Sequence, residues 1–116
     1  MTVPEKRPRV LRGPTYEIET GCGSIYITIT EKDGKPFEIF ARLGKAGGCA
    51  SAQTEAIGRL ASLALRSGIN PEEVVKHLCG IQCDRKRISV SEAILSCADA
   101  IGKALKAFLQ EKEEKE

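Results

Sequence analysis

The sequence predicts an α+β domain, a three-stranded antiparallel sheet with three helices packed on one of its faces. Two features carry this. Apolar residues alternate with a period of two through residues 15–43, and helical spacing replaces that alternation from residue 49 onward. A meander of three strands cannot bury its apolar face alone, and each amphipathic helix needs a surface to cover, so the helices belong on the sheet. At 116 residues the chain builds one core rather than two. Hydrophobic content of 41% and charged content of 29% place it with globular rather than disordered chains. With three Phe, two Tyr and no Trp, the core must be made of Ile, Leu, Val and Ala.

Residues 1–13 form a basic, proline-punctuated lead without periodicity, mobile unless a partner or the sheet edge holds it. The domain proper is expected over 14–110, with a charged tail at 111–116. "TYEIET" alternates Tyr16 and Ile18 with polar neighbours, as a half-buried strand does, and Gly21 and Gly23 flank Cys22 in a turn. "SIYITIT" sets Ile25, Ile27 and Ile29 on one face. "KDGKP" is a hairpin loop whose Asp33-Gly34 step supplies positive φ, and "FEIFARL" returns with Phe37, Ile39 and Ala41 on one side. A helix follows near 49–67, with an apolar stripe of Ala52, Ala56, Leu60 and Leu63 beside Ile57, Ala61 and Ala64, ended by Gly68. Asn70, Pro71 and Glu73 open a second, short helix in capping-box form, and Gly80 stops it. "IQCDRKRISV" is irregular. The last helix is expected over about 97–110, capped by Ser96 and Asp99, with Ile101, Leu105, Phe108 and Leu109 inward.

Net charge is only +2, so the whole molecule exerts little pull on nucleic acid. The basic residues are clustered, however, with Arg7, Arg9 and Arg12 in the lead and Arg85, Lys86 and Arg87 before the last helix. No apolar run reaches the roughly 20 residues that span a bilayer, and the first residues lack a signal peptide's apolar segment. The expectation is a cytoplasmic protein with no membrane partner, in a compartment that keeps thiols reduced.

Against that background five cysteines are many, and an odd number argues against a simple disulfide framework. Only Cys79 and Cys83 are close in sequence, with three residues between them, a spacing that fits half a zinc site. Cys22, Cys49, Cys83 and Cys97 all fall at the ends of expected elements, where a fold can gather them. Cys79 instead sits in the last turn of a helix. The bland alternative is that cysteines serve as small buried apolar residues. Cys97, at a helix start, lies among unpaired N–H groups and the positive end of the dipole, which favours a thiolate.

"LSCADAIGKAL", residues 95–105, resembles the segment that names the TSCPD domain, found near the C-terminus of adenosylcobalamin-dependent ribonucleotide reductases and in small free-standing proteins. "RPRVLRGPTYEIETGCGSIYITI" and "DGKPFEIFARLGKAGGCASAQTEAIGRLASLALRSGINPEEVVKHLCGIQC" look like preceding blocks of the same module in the same order, so the resemblance covers roughly residues 7–109. Leu95 and Ala98 replace the signature's Thr and Pro, whereas Ser96, Cys97 and Asp99 are kept. Proline in a first helical turn only presets φ, so Ala98 is tolerable there. The resemblance implies that Cys22, Cys49, Cys83 and Cys97 are the family's recurrent cysteines. A four-thiolate zinc site is then expected, with an Fe–S cluster on the same ligands or a redox dithiol as alternatives. It also implies a module without its enzyme, since this length holds no catalytic barrel and no cobalamin-binding region.

Other candidate sites are less pointed. "GKAGG" precedes a helix, and Lys45, Gly47 and Gly48 could hold an anion there, although the glycine spacing fits neither a Walker loop nor a dinucleotide fingerprint. His77, the single histidine, reads as a surface residue. No nucleophile–base–acid set emerges. The expected function is therefore a non-catalytic accessory or regulatory module of the ribonucleotide reductase system. Its partners would be a separately encoded catalytic chain and, through an exposed sheet edge, a second copy. The competing reading is a small nucleic-acid-binding or regulatory protein using the two arginine-rich clusters on phosphates.

Overall fold

The computed structural model describes residues 3–44, 48–83, 86–88 and 93–115. Strands β1 (Thr15–Thr20), β2 (Gly23–Lys32) and β3 (Lys35–Leu43) form an antiparallel sheet in the order β1-β2-β3. Register pairs Ile18 with Ile25, and on the other side Ile27 with Ala41 and Ile29 with Ile39. Because side chains alternate, this pairing stacks the isoleucines on a single face, and Ile25, Ile27 and Ile29 are fully buried. At about 1.5–3 kcal/mol for each buried side chain of this size, that triplet is a main source of the fold's stability. Asp33 and Gly34 adopt φ of 55° and 79°, the left-handed pair a two-residue hairpin needs.

Helices α1 (Gly48–Arg66), α2 (Pro71–Leu78) and α3 (Cys97–Lys115) complete the α+β domain. α1 and α3 lie against the sheet, whereas α2 packs mainly on α3 and less on α1. α3 brings Ile101, Ala104, Leu105 and Phe108 into the core. It begins at the expected residue and continues through positions 111–115, where Glu111 accepts from the Tyr16 hydroxyl and Lys112 pairs with Glu31.

Three expectations need correction. The inward face of α1 is Thr54, Gly58, Ala61 and Leu65, not the Ala52, Ala56, Leu60 and Leu63 stripe; Leu60 and Leu63 are 66% and 49% exposed. The reason is steric, because α1 lies along the edge of β3 and needs small side chains there. A Cβ on Gly58 would stand 3.1 Å from the Ile39 carbonyl oxygen. Ser62, one turn on, accepts from the Ile39 N–H at 2.9 Å and donates to its C=O at 3.0 Å, so a side chain caps the free strand edge. Second, the irregular stretch holds a short ribbon, β4 (Arg87–Ile88) paired with β5 (Ala93–Ile94). Third, the α2 cap is not a reciprocal box. Asn70 accepts from Glu72 N–H at 3.0 Å, and Glu73 instead faces His77 at 3.8 Å.

The lead is stitched to the sheet. Arg12 and Pro14 carbonyls accept from Glu31 and Ile29, extending β1 along β2, and a Cβ on Gly13 would fall 1.8 Å from the Ile29 oxygen. Glu5 N–H donates to the last carbonyl of α1, at Arg66, and the Arg66 side chain returns a bond to the Glu5 carbonyl.

Candidate functional site

The site begins with a tight turn and a helix start. β1 ends at Thr20, whose hydroxyl donates to the Gly23 carbonyl and accepts from the Cys22 N–H, fixing the β1–β2 turn. α3 starts opposite it at Cys97. The Cys97 sulfur lies 4.0 Å from the Thr20 hydroxyl oxygen, with the side chains of Cys22 and of Thr54 from α1 close enough to act on its thiol. Two of the anticipated cysteines are therefore neighbours in a half-buried niche with two threonines. Cys83 is held near by its backbone, its N–H donating to the Leu95 carbonyl at 2.9 Å, two residues before Cys97. Cys49 lies exposed in the first turn of α1.

Burial pushes the Cys97 thiol up, and the Thr20 hydroxyl offsets this only in part, while Cys22 adds to the rise. The helix-start expectation of a thiolate is thereby reversed. A half-charge at a helix terminus is worth at most about 2 kcal/mol, and desolvation outweighs it here.

The signature polar residues form a clasp behind this niche. Ser96 accepts from the Asp99 N–H at 3.0 Å, as a cap should, and donates to the Ile81 carbonyl at 2.6 Å. Asp99 is 1% exposed. Its two oxygens accept from Gly80 N–H at 2.9 Å and Leu95 N–H at 3.0 Å, and Lys103 pairs with it at 2.8 Å. Burial drives this carboxyl upward, but the Leu95 amide, the Lys103 ammonium and the Gly80 amide together outweigh it and hold it below the usual carboxylate range. One carboxylate thus pins both ends of the segment between Gly80 and Leu95, which carries Cys83. The sequence marks Asp99 as a cap residue; its reach to Gly80 depends on how α2 packs on α3.

Cys79, outside the set of four, packs on α3, where a Cβ on Gly102 would sit 2.8 Å from its sulfur. Burial first, and the Asp99 charge second, push its thiol up. It belongs to the helix–helix contact.

Among the described residues, no group of three or more His, Cys, Asp or Glu side chains is placed to hold a metal ion. As arranged, the four cysteines do not form a four-thiolate site. Cys22 and Cys97 are neighbours, and Cys83 and Cys49 stand on adjoining segments without joining them.

The remaining candidates are dispersed. Lys45, Gly47 and Arg85 lie outside the described residues, and Gly48 begins α1 with φ of 78°. Arg7 is engaged rather than free, its Nε reaching both oxygens of the buried Glu38 at 3.0 Å. Arg9, Arg12 and Lys86 are exposed, and the described backbone of Arg87 belongs to β4. His77 is exposed. The open face of the sheet carries a group not anticipated. Tyr26 donates to Glu17 and lies 5.2 Å under the Arg42 guanidinium, with Phe40 half exposed nearby. No described helix is long and apolar enough to cross a membrane.

No curated protein and no solved structure is significantly similar to this chain. A family match does exist, to the TSCPD domain over residues 1–109, and it takes in the stitched lead, the thiol niche and the Asp99 clasp. Covering nearly the whole chain, it shows that this protein belongs to the TSCPD domain family.

Proposed function

We propose that this chain is a non-catalytic accessory or regulatory module of the ribonucleotide reductase system, acting through protein contacts and stabilised by its cysteine end. The family membership supports the system, and the proximity of Cys22 to Cys97 beside the Asp99 clasp supports the stabilising role. In this reading Cys22, Cys49, Cys83 and Cys97 would hold a zinc ion, which supplies a cross-link between the ends of four segments. Cys49 and Cys83 would have to move in to complete the set.

Metal analysis with a thiol count tests the site. About one zinc per chain, with four thiols slow to react until a chelator is added, is the expected result. Iron with visible absorption would replace zinc by an Fe–S cluster. The reductase role predicts that the tagged chain retains the reductase catalytic chain of the same cell. A strongly salt-dependent affinity for DNA or RNA, without that retention, would favour the nucleic-acid reading.

A second reading has an observation of its own. Two neighbouring cysteines, rather than four, are what a dithiol pair requires. A metal-free protein in which Cys22 and Cys97 are protected together, and released together by a reductant, would establish it.

A further inference from the structure

A concavity of about 620 Å³ opens near the far end of α3 from Cys97, between the β2–β3 hairpin, the end of α1 and the start of α2. That volume falls within the roughly 300–1,000 Å³ of small-molecule sites. Buried Phe37 and Leu65, with half-buried Leu109, give it an apolar lining, and Ile69 stands 48% exposed beside them. Its charged lining has one sign in excess. Lys32, Lys35, Arg66 and Lys112 face it, against Glu5 and Asp33. The cleft between α1 and β3 carries no such excess, since Glu38 and Glu55 balance Arg59 and Arg66 there. The Lys32 ammonium and the Arg66 guanidinium lie 5.5 and 5.7 Å from the centre of the Phe37 ring, which keeps two cations beside one aromatic face. Lys112 is neutralised in part by Glu31, whereas Lys35, exposed at the rim, has no ion-pair partner among the described residues.

The chain already sets an anion of its own on these cations. The Glu5 N–H donates to the Arg66 carbonyl at 2.8 Å, the Arg66 Nε donates to the Glu5 carbonyl at 2.9 Å, and the Glu5 carboxylate pairs with Lys32. That carboxylate is 55% exposed, so it rests on the rim and can give way to a ligand of greater negative charge. The cations gather around one concavity rather than along a stripe, which suits a small molecule better than an extended polyanion. The apolar lining suits a molecule with an organic body.

We infer that this concavity binds a phosphorylated small molecule of nucleotide size, its phosphates on Lys32, Lys35 and Lys112 and its organic body on the apolar lining beside Ile69. Calorimetric titration of the full-length chain, without divalent cations, compares ATP, inorganic triphosphate and adenosine as probes. ATP should bind once per chain, less tightly as salt rises, and about tenfold more tightly than inorganic triphosphate, with adenosine the weakest. Lys35→Gln, at an exposed position without an ion pair, should weaken ATP binding by about tenfold with the far-UV spectrum unchanged. Glu5→Gln removes the competing carboxylate and should tighten it. Lys106→Gln, at an exposed position of α3 outside the concavity, should leave it as it was. Absence of binding by both ATP and inorganic triphosphate at millimolar concentration overturns the inference, as does an ATP affinity that neither Lys35→Gln nor Lys112→Gln lowers. Equal affinities for ATP and inorganic triphosphate overturn the assignment of an organic ligand.

Discussion

α1 and α3 are each 19 residues long and carry a cysteine in the first turn, yet the fold uses them in opposite ways. α3 turns its large apolar residues inward, and Ile101, Leu105 and Phe108 are essentially unexposed. α1 turns Thr54, Gly58 and Ala61 inward with Leu65 near its end, and leaves Leu60 and Leu63 outside. What each helix meets explains the contrast. α3 lies across a face of isoleucine side chains, where bulk fills space. α1 lies against the backbone edge of β3, where bulk would collide and a hydroxyl is useful. Helical periodicity therefore reports that a helix has an apolar side, but the character of the neighbouring surface selects the side that is buried.

Substitutions can break this contrast in order of severity. Asp99→Ala removes the acceptor of two amides and the carboxylate partner of Lys103, and should cost about 3–5 kcal/mol in denaturant unfolding. The segment between Gly80 and Leu95 should loosen with it, read as faster labelling of Cys83. Leu105→Ala opens a cavity in the fully buried stripe of α3 and should cost about 2–5 kcal/mol. Ser62→Ala leaves the Ile39 N–H and C=O without their shared partner and should cost about 1–3 kcal/mol, with faster amide exchange at Ile39. Leu60→Ala should change stability by no more than about 0.5 kcal/mol. A loss at Leu60 as large as at Leu105 would mean that the two helices are not used differently after all.

The smallest effect tests where the end of α3 meets β1. Burial, and then the charge and hydrogen bond of Glu111, push the Tyr16 phenol up to about 12. A raised phenol pKa favours the neutral form in the folded state. Its contribution to stability is thus complete below pH 10 and is lost as pH rises toward 12. Absorbance at the phenolate band should show both tyrosines ionising late, Tyr26 because of its hydrogen bond to Glu17, and Glu111→Gln should bring only the Tyr16 ionisation earlier.

Much of the fold was legible where local chemistry decides conformation. The Asp33-Gly34 turn, the alternation of Ile25, Ile27 and Ile29, the Asn70–Pro71 helix start and the Ser96–Asp99 cap are short-range events, each set within about four residues. The sequence groups four cysteines at element ends, and the structure places Cys22 beside Cys97 while leaving Cys49 exposed. Thr20 and Thr54, which line the niche, gave only a faint signal, a polar residue on the inward side of an element. The ribbon of β4 and β5 gave none, because two-residue strands have no period to detect.

The sequence by itself determined an Ile-rich meander followed by helices, because side-chain alternation, turn residues and caps act within a few residues of one another. Tertiary structure alone decided that α1 would turn Leu60 and Leu63 outward, that Arg7 would be taken up by Glu38, and that Asp99 would reach Gly80 across 19 positions of chain. Each of these depends on a backbone group or charge brought close by packing. A linear pattern records which groups are available, whereas desolvation and steric fit determine which of them meet.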